Sequence, residues 1–322
     1  MKAIRVNQTG APEVMQIEEI ELPAPKAGEV RIRMEAAGVN PVDTYIREGR
    51  QGYGVTPPYT PGFDGAGVVE SVGAGVTKVQ SGDRVYCAGS LTGTYAQAAI
   101  CREDQVYPLP DRASFAQGAC MYIPYATAYF ALMRGQAKPG ETVLIHGASG
   151  GVGTAAVQLA RGMGMRVIGT ASSAEGQKTV QEEGAHWVVN HHDENHLQQA
   201  VEWNQGQGLD VILEMLANVN LAKNLSSLAS RGRVVVIGSR GDIEISPRDL
   251  MIRNASVIGI IILQATPEEQ REIHAYLIAG LENGSLRPVV GAEMPLTDAP
   301  KAHHQIMETQ AKGNIILNPQ SI

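Results

Sequence analysis

From Glu29 the chain alternates apolar and polar residues, EVRIRMEAAGV, and the stretches AGVVESVGAGV and GDRVYCAG follow, separated by Gly, Pro and Asp. A period of two is the mark of strands that bury one face. Short strands so closely spaced predict a β-barrel or sandwich over the first third. From about residue 118 the pattern changes. Six short apolar runs recur at wide intervals: TVLIHG, RVIGTA, HWVVNH, LDVILEM, RVVVIG and SVIGIII. Parallel strands need crossovers, and VGTAAVQLARGMG, SSAEGQKTVQEEGA and LAKNLSSLASRG supply helical ones, each ending near a glycine. The expected fold is α/β, with a doubly wound parallel sheet following the β domain. A helix (PEEQREIHAYLIAGLENG) and a last apolar strand (GNIILNP) are expected to return to the first domain. The division expected is therefore 1–117 with 266–322, and 118–265.

Composition narrows the class. A chain of 322 residues with 43% hydrophobic content is long enough for two cores. The net charge of −7, without a long basic run, disfavours a dedicated nucleic-acid surface. Cys87, Cys101 and Cys120 are widely spaced and odd in number, which fits free thiols in a reducing compartment. The start, MKAIRVNQTG, lacks an apolar signal core, and no apolar span reaches the roughly 18 residues of a membrane helix. A soluble cytoplasmic protein is expected.

The richest chemical signal is LIHGASGGVG, residues 144–153, where Gly147, Gly150, Gly151 and Gly153 fall between an apolar strand and a helix. Backbone N–H groups at such a helix start bind a pyrophosphate, helped by the helix dipole. The spacing departs from the strict G-x-G-x-x-G, but the further strands supply the context that motif needs. At the end of the next strand an NAD site carries Asp or Glu for the ribose hydroxyls. Here that tip reads Thr170-Ala171-Ser172-Ser173, with Lys178 one turn into the helix. A 2′-phosphate suits that arrangement, so NADPH is expected over NADH, with Glu175 as the one contrary charge. His191, after the third strand, is expected to cover the adenosine side.

With these residues in place, the chain resembles the medium-chain dehydrogenase/reductase superfamily, and within it the quinone oxidoreductases of the zeta-crystallin type. GETVLIHGASGGVGTAAVQLAR, VNPVDTYIREG, PYTPGFDGAG, IPYATAYFAL, ILEMLANVNL and IGSRGDIEISPRDLM carry the likeness, which runs from Met1 through GNIIL. The resemblance implies a GroES-like barrel completed by the C-terminal tail, a Rossmann domain and a cleft between them. It implies NADPH-dependent reduction of quinones, ortho-quinones among them, by one or two electrons, and a homodimer or homotetramer. Cofactor contacts implied by it are Tyr45, Thr127, Ser149, Gly150, Gly151, Val152, Ser172, Lys178, His191 and Asn220. Ile237, Gly238, Ser239, Arg240, Ile260, Ile261, Ile262 and Asn314 complete that set. Ser172 departs from the glycine often found at its position in such proteins.

Zinc-dependent relatives carry a G-H-E motif and a four-cysteine lobe; here the motif's place reads Gly62-Phe63-Asp64, and three scattered cysteines cannot build the lobe. No metal is expected. GASGG is a phosphate turn and not a nucleophile elbow. Asp64 is expected to bind turn backbone, and Asn40 and Asp43, on the loop expected to face the nicotinamide, read equally as reactive groups or as Asx caps. Thr127 is expected by the carboxamide, while Tyr122, Tyr125 and Tyr129 read as packing. The adjacent pairs in NHH and AHH, read as strand-like, are expected at the surface or the cofactor rim. Tyr45 is the side chain expected to hydrogen-bond both cofactor and acceptor oxygen. Two alternatives stand beside quinone reduction: an NADPH-dependent alkenal or enone double-bond reductase, and a structural or AU-rich RNA-binding role of the zeta-crystallin kind. The acidic charge makes any RNA role secondary.

Overall fold

In the computed structural model, which describes residues 1–50, 52–308 and 312–322, the alternating segment Glu29–Val39 is a strand. Val30, Ile32 and Met34 are buried on one face, and Arg31 and Arg33 lie on the other. This is β3, preceded by the antiparallel pair β1 (Lys2–Val6) and β2 (Met15–Glu19). Helix α1 (Pro41–Arg47), β4 (Asp64–Val72), β5 (Arg84–Ala88), β6 (Ala98–Arg102), β7 (Val106–Pro108) and α2 (Phe115–Gly118) follow. A π turn at Met121–Ala126, with Pro124 inside it, then leads into α3 (Thr127–Arg134).

The six apolar runs are β8 (Thr142–Ile145), β9 (Arg166–Thr170), β10 (Trp187–Val189), β11 (Leu209–Glu214), β12 (Leu228–Val236) and β13 (Ser256–Gly259). They form one parallel sheet in the order β10-β9-β8-β11-β12-β13. The crossovers include α4 (Gly151–Gly162), α5 (Ala174–Glu182), α6 (His196–Trp203), α7 (Ala217–Ser227) and the short α8 (Pro247–Met251). Leu144, Ile168, Ile212 and Val234 lie in the core of this sheet without solvent exposure. Each contributes on the order of 2 kcal/mol by burial. One crossover differs from the sequence pattern: of the expected helix LAKNLSSLASRG, only the part through Ser227 is helical. Leu228 already pairs with Leu209, and the strand resumes its register at Arg233 after an irregularity in which Arg231 takes a φ of +63°. Burial of Leu228 against its partner strand outweighs the local helical pattern.

The chain continues through α9 (Pro267–Asn283), β14 (Val290–Pro295), α10 (Ala299–Glu308) and β15 (Asn314–Asn318). β15 pairs with β3, giving a seven-stranded sheet ordered β14-β15-β3-β4-β5-β7, with β6 also on β3. Two compact units result. One holds Met1–Pro124 and most of the chain from Tyr276 onward; the other is essentially Tyr125–Ala275. Among the described residues no helix is long and apolar enough to cross a membrane.

Candidate active site

The glycine turn connects β8 to α4 in the second unit. Gly147 takes a φ of +57°, a left-handed conformation that suits glycine, and its N–H donates to Thr170 Oγ1 at 3.1 Å. Gly153, in the first turn of α4, lies against that turn: a Cβ there would fall 2.3 Å from Gly147 O and 2.6 Å from Ala148 Cα. The helix therefore starts tight on the strand end. Its N-cap, Gly150, has no side chain to satisfy the first-turn N–H groups, so those of Gly151 and Val152 suit an anion, as a pyrophosphate requires.

At the tip of β9, Thr170 and Ala171 are buried and carry no charge. Ser173 caps α5, accepting from Gly176 N–H at 3.0 Å, which leaves Ser172 as the half-buried hydroxyl beside it. Glu175 is ion-paired with Lys312, so its charge is compensated. Lys178 is exposed, its side chain 76% accessible, with Glu182 at 3.7 Å. His191 Nδ1 lies 3.4 Å from Thr170 Oγ1, and burial together with His192, His146 and His196 lowers its pKa below the usual histidine value.

The β11 end holds a group that the sequence did not flag. Glu214 is fully buried and accepts from Leu216 N–H at 2.6 Å, Asn220 Nδ2 at 3.1 Å and Asn224 Nδ2. His146 Nε2 sits 2.9 Å from Asn224 Oδ1 and 3.5 Å from Glu214. A charged residue closing the apolar run LDVILEM was the available signal. Beyond it, Gly238 O accepts from Ala217 N–H and Ser239 Oγ donates to Gly241 O. Ile237 N–H donates to Glu214 O, and Arg240 N–H to Asn218 Oδ1. Ile260 and Ile262 are buried, while Ile261 is 53% exposed. Thr127 is buried at the start of α3.

The first unit gathers Asn40, Asp43 and Asp64. Asn40 N–H donates to Asp43 Oδ2 at 2.8 Å, and Asn40 Nδ2 to Asp64 Oδ2 at 2.7 Å. Asp64 also accepts from Tyr122 N–H at 2.8 Å and Ile123 N–H at 3.1 Å, both in the π turn, so it binds turn backbone as expected. Burial pushes the Asp64 carboxyl up to about 8 against the pull of these donors, and raises Asp43 to about 7. Asp43 accepts in addition from Tyr95 O–H, whose oxygen is 3.3 Å from His303 Nε2. His303 is thus buried and not at the surface as AHH suggested, because the pair lies on helix α10, where neighbours diverge; His304 is outside and meets Glu13 at 2.6 Å. Tyr45 is half-buried, with the Arg50 guanidinium 4.5 Å over its ring. Asn314 Nδ2 donates to Val289 O at 2.9 Å.

The fold and turn define a dinucleotide-dependent dehydrogenase/reductase, and family models agree. An alcohol dehydrogenase GroES-like domain matches residues 26–111, and a zinc-binding dehydrogenase model matches residues 151–278. Quinone oxidoreductase of Homo sapiens is 47% identical over 320 residues, covering 98% of this chain and 97% of that protein. The chain belongs to the quinone oxidoreductase family of the medium-chain dehydrogenase/reductase superfamily. Among solved structures, Escherichia coli quinone oxidoreductase complexed with NADPH superposes with a TM-score of 0.91 at 29% identity, over 99% of this chain and 100% of that one. An NAD-dependent alcohol dehydrogenase also reaches 0.91, at 26% identity over 99% of both chains, so the shared fold alone does not choose the cofactor.

The zinc in the second model's name finds no fitting donor set here. Asp64 is taken up by Asn40 and the π turn, and the Cys87, Cys101 and Cys120 thiols are buried, donating to the carbonyls of Gly65, Gly89 and Ala116. Among the described residues no group of three or more His, Cys, Asp or Glu is placed to hold a metal ion.

Proposed function

We propose that this chain is an NADPH-dependent quinone reductase that uses no metal. The observation that carries the cofactor choice is the uncharged tip of β9: Ser172 stands where an NAD site needs a carboxylate, and Lys312 compensates Glu175. The acceptor class follows the family. Bound NADPH supplies the hydride, and the residues of this chain bind and orient it. Ser149, Gly150, Gly151 and Val152 take the pyrophosphate at the α4 start, while Ser172, Lys178 and His191 take the phosphorylated ribose. Asn220, residues Ile237 to Arg240, Ile260 to Ile262, Thr127 and Asn314 complete the binding set. Tyr45 donates its phenol hydrogen bond to the acceptor oxygen. Asn40 and Asp43 act at one remove, fixing the start of α1 beneath Tyr45. Reduced quinone oxygens take protons from water, so orientation is the main contribution of the protein.

A homo-oligomer, dimer or tetramer, is the assembly we favour. β13 is the edge strand of its sheet, and Val257, Ile261, Met251 and Ile252 are exposed on or beside it. The three buried free cysteines suit the reducing cytoplasm. The test is a steady-state comparison of ortho-quinones, para-quinones and enones, each with NADPH and NADH. Quinones with NADPH are expected to give the highest kcat/KM. Faster turnover of enones would move the assignment to a double-bond reductase, and equal efficiency with the two cofactors would refute the cofactor choice. Ser172→Asp is expected to lower kcat/KM for NADPH by about tenfold to a hundredfold, the scale of 1.5–3 kcal/mol for a charged hydrogen bond.

A further inference from the structure

In the sheet order β10-β9-β8-β11-β12-β13, the chain reverses direction of growth between β8 and β11, and ligands of such sheets bind outside the strand ends at that point. Glu214 closes β11 there, without solvent exposure. Its neighbours Leu216 N–H, Asn220 Nδ2 and Asn224 Nδ2 are all donors. The Leu216 backbone N–H can only donate, so the Glu214 Oε1 that it meets, and that Asn220 shares, serves as an acceptor. Asn220 and Asn224 stand one turn apart on α7, so both amides reach the same carboxyl. An oxygen already engaged as an acceptor decides which way the Asn220 amide turns, and the His146 contact decides it for Asn224. The NH2 groups face Glu214, and each Oδ1 is left for something else. For Asn224 that partner is visible: its Oδ1 meets His146 Nε2 at 2.9 Å, and burial lowers the His146 pKa, which keeps the ring neutral with Nε2 as the donor. Asn220 is half-buried, and its NH2 is committed in the same way.

We infer that Glu214 is a positioning residue: it locks the Asn220 amide so that Oδ1 is presented to the cofactor, which must meet it with a hydrogen-bond donor such as a sugar hydroxyl or an amino group. This rests on the proposed use of NADPH. The lock confers polarity on the site. An amide able to turn over would serve donors and acceptors alike, whereas a fixed one rejects a ligand that offers only an acceptor. His146 and Asn224 extend the lock to the strand beside the glycine turn, so the orientation is held from β8 as well as from β11.

Two measurements test it. The first is NMR of the Asn220 side-chain amide in the intact wild-type protein. Slow solvent exchange of one Nδ2 proton is expected, unchanged when NADPH is added, because Glu214 keeps that donor. Rapid exchange, or release of the protection by NADPH, would overturn the assignment. The second is a double-mutant cycle on the NADPH dissociation constant, read by nicotinamide fluorescence. Asn220→Ala and Glu214→Ala are each expected to weaken binding by about tenfold, and the double variant no further than Asn220→Ala alone, since the effect of Glu214 on the cofactor runs through the Asn220 amide. Multiplied effects, or an undiminished affinity in Glu214→Ala, would overturn it. If Glu214→Ala fails to fold, the wild-type NMR decides alone. Wild-type protein that binds no NADPH would overturn the proposed function and this assignment with it; binding with multiplied effects overturns the assignment only.

Discussion

Asp64 holds three hydrogen-bond donors from two segments of chain, and its removal should be costly in a way its position in PGFDGAG does not reveal. Asp64→Ala leaves the N–H groups of Tyr122 and Ile123 and the Asn40 amide buried without that acceptor. Each such group costs about 1–3 kcal/mol, so a loss on the order of 3 kcal/mol or more is expected from denaturant unfolding. Tyr45 is the opposite case, a half-buried side chain given a role in turnover and not in stability. Tyr45→Phe keeps the ring under Arg50 and removes the hydroxyl. Quinone turnover should fall by about tenfold or less, the scale of one hydrogen bond of roughly 1 kcal/mol, with KM for NADPH nearly unchanged. A fall of about a thousandfold would mean that proton donation from this phenol is obligatory and that orientation is not the main contribution. At this scale the sequence offers residue types without their partners. Asn40 and Asp43 were visible as reactive or capping groups, but Asp64 lies 24 residues from Asn40, and only the β3–β4 pairing joins them.

The same division holds for elements. Hydrophobic periodicity located all six strands of the parallel sheet, because its inner strands, covered on both faces, must be continuously apolar and the edge strand β13 shares that pattern. It missed the end of α7, where Leu228 leaves the helix to pair with Leu209, and the π turn, whose N–H groups are satisfied by a distant carboxylate. Both outcomes depend on tertiary partners that a local pattern does not contain. The glycine turn was legible for the converse reason: its chemistry is local, a left-handed Gly147 and a Gly153 lying on it. That predicts a sharp response to a small change. In Gly153→Ala the new methyl meets backbone at 2.3 and 2.6 Å, which no side-chain rotation relieves, so α4 must shift off the strand end. A destabilisation of about 1–3 kcal/mol is expected, as for other overpacked sites, together with at least a tenfold rise in the NADPH dissociation constant. Calorimetry and fluorescence titration check the two parts. Normal stability with normal affinity would show that the helix start does not depend on this contact.

For the molecule as a whole, buried titratable groups set how stability varies with pH. Burial raises Asp43 to about 7 and Asp64 to about 8 from an ordinary 3.8. Groups raised in this way bind protons more tightly when folded, so their contribution is full below about pH 4 and is lost as pH rises through 7 to 8. Burial also lowers His274 and His303 to about 3 from an ordinary 6.5. Their contribution is full above pH 6.5 and is lost as pH falls toward 3. Between about pH 4 and 6.5 these two pairs oppose each other with equal slopes, while His146, His186 and His191, also lowered by burial, tip the balance toward stability that rises with pH. Above 6.5 only the carboxyls still titrate, and stability should fall toward pH 8.5, with the growing self-repulsion of a chain of net charge −7 acting in the same direction. Below 4 the histidines and the carboxylates held low by their partners, Glu103 and Glu141 among them, lose their share together, and stability falls again. Urea midpoints are therefore expected to rise modestly from pH 4.5 to 6.5 and to decline by pH 8.5. Asp64→Asn separates the carboxyl's share from general repulsion. Its oxygen still accepts from the Tyr122 and Ile123 N–H groups, and Asn40 turns its amide to meet the new NH2 with Oδ1, so at pH 6 it should cost only about 1 kcal/mol. Above pH 7 it cannot ionise, and the decline should be shallower than in the wild type. An unaltered slope in this variant would show that Asp64 is already ionised well below neutrality, with its donors outweighing its burial.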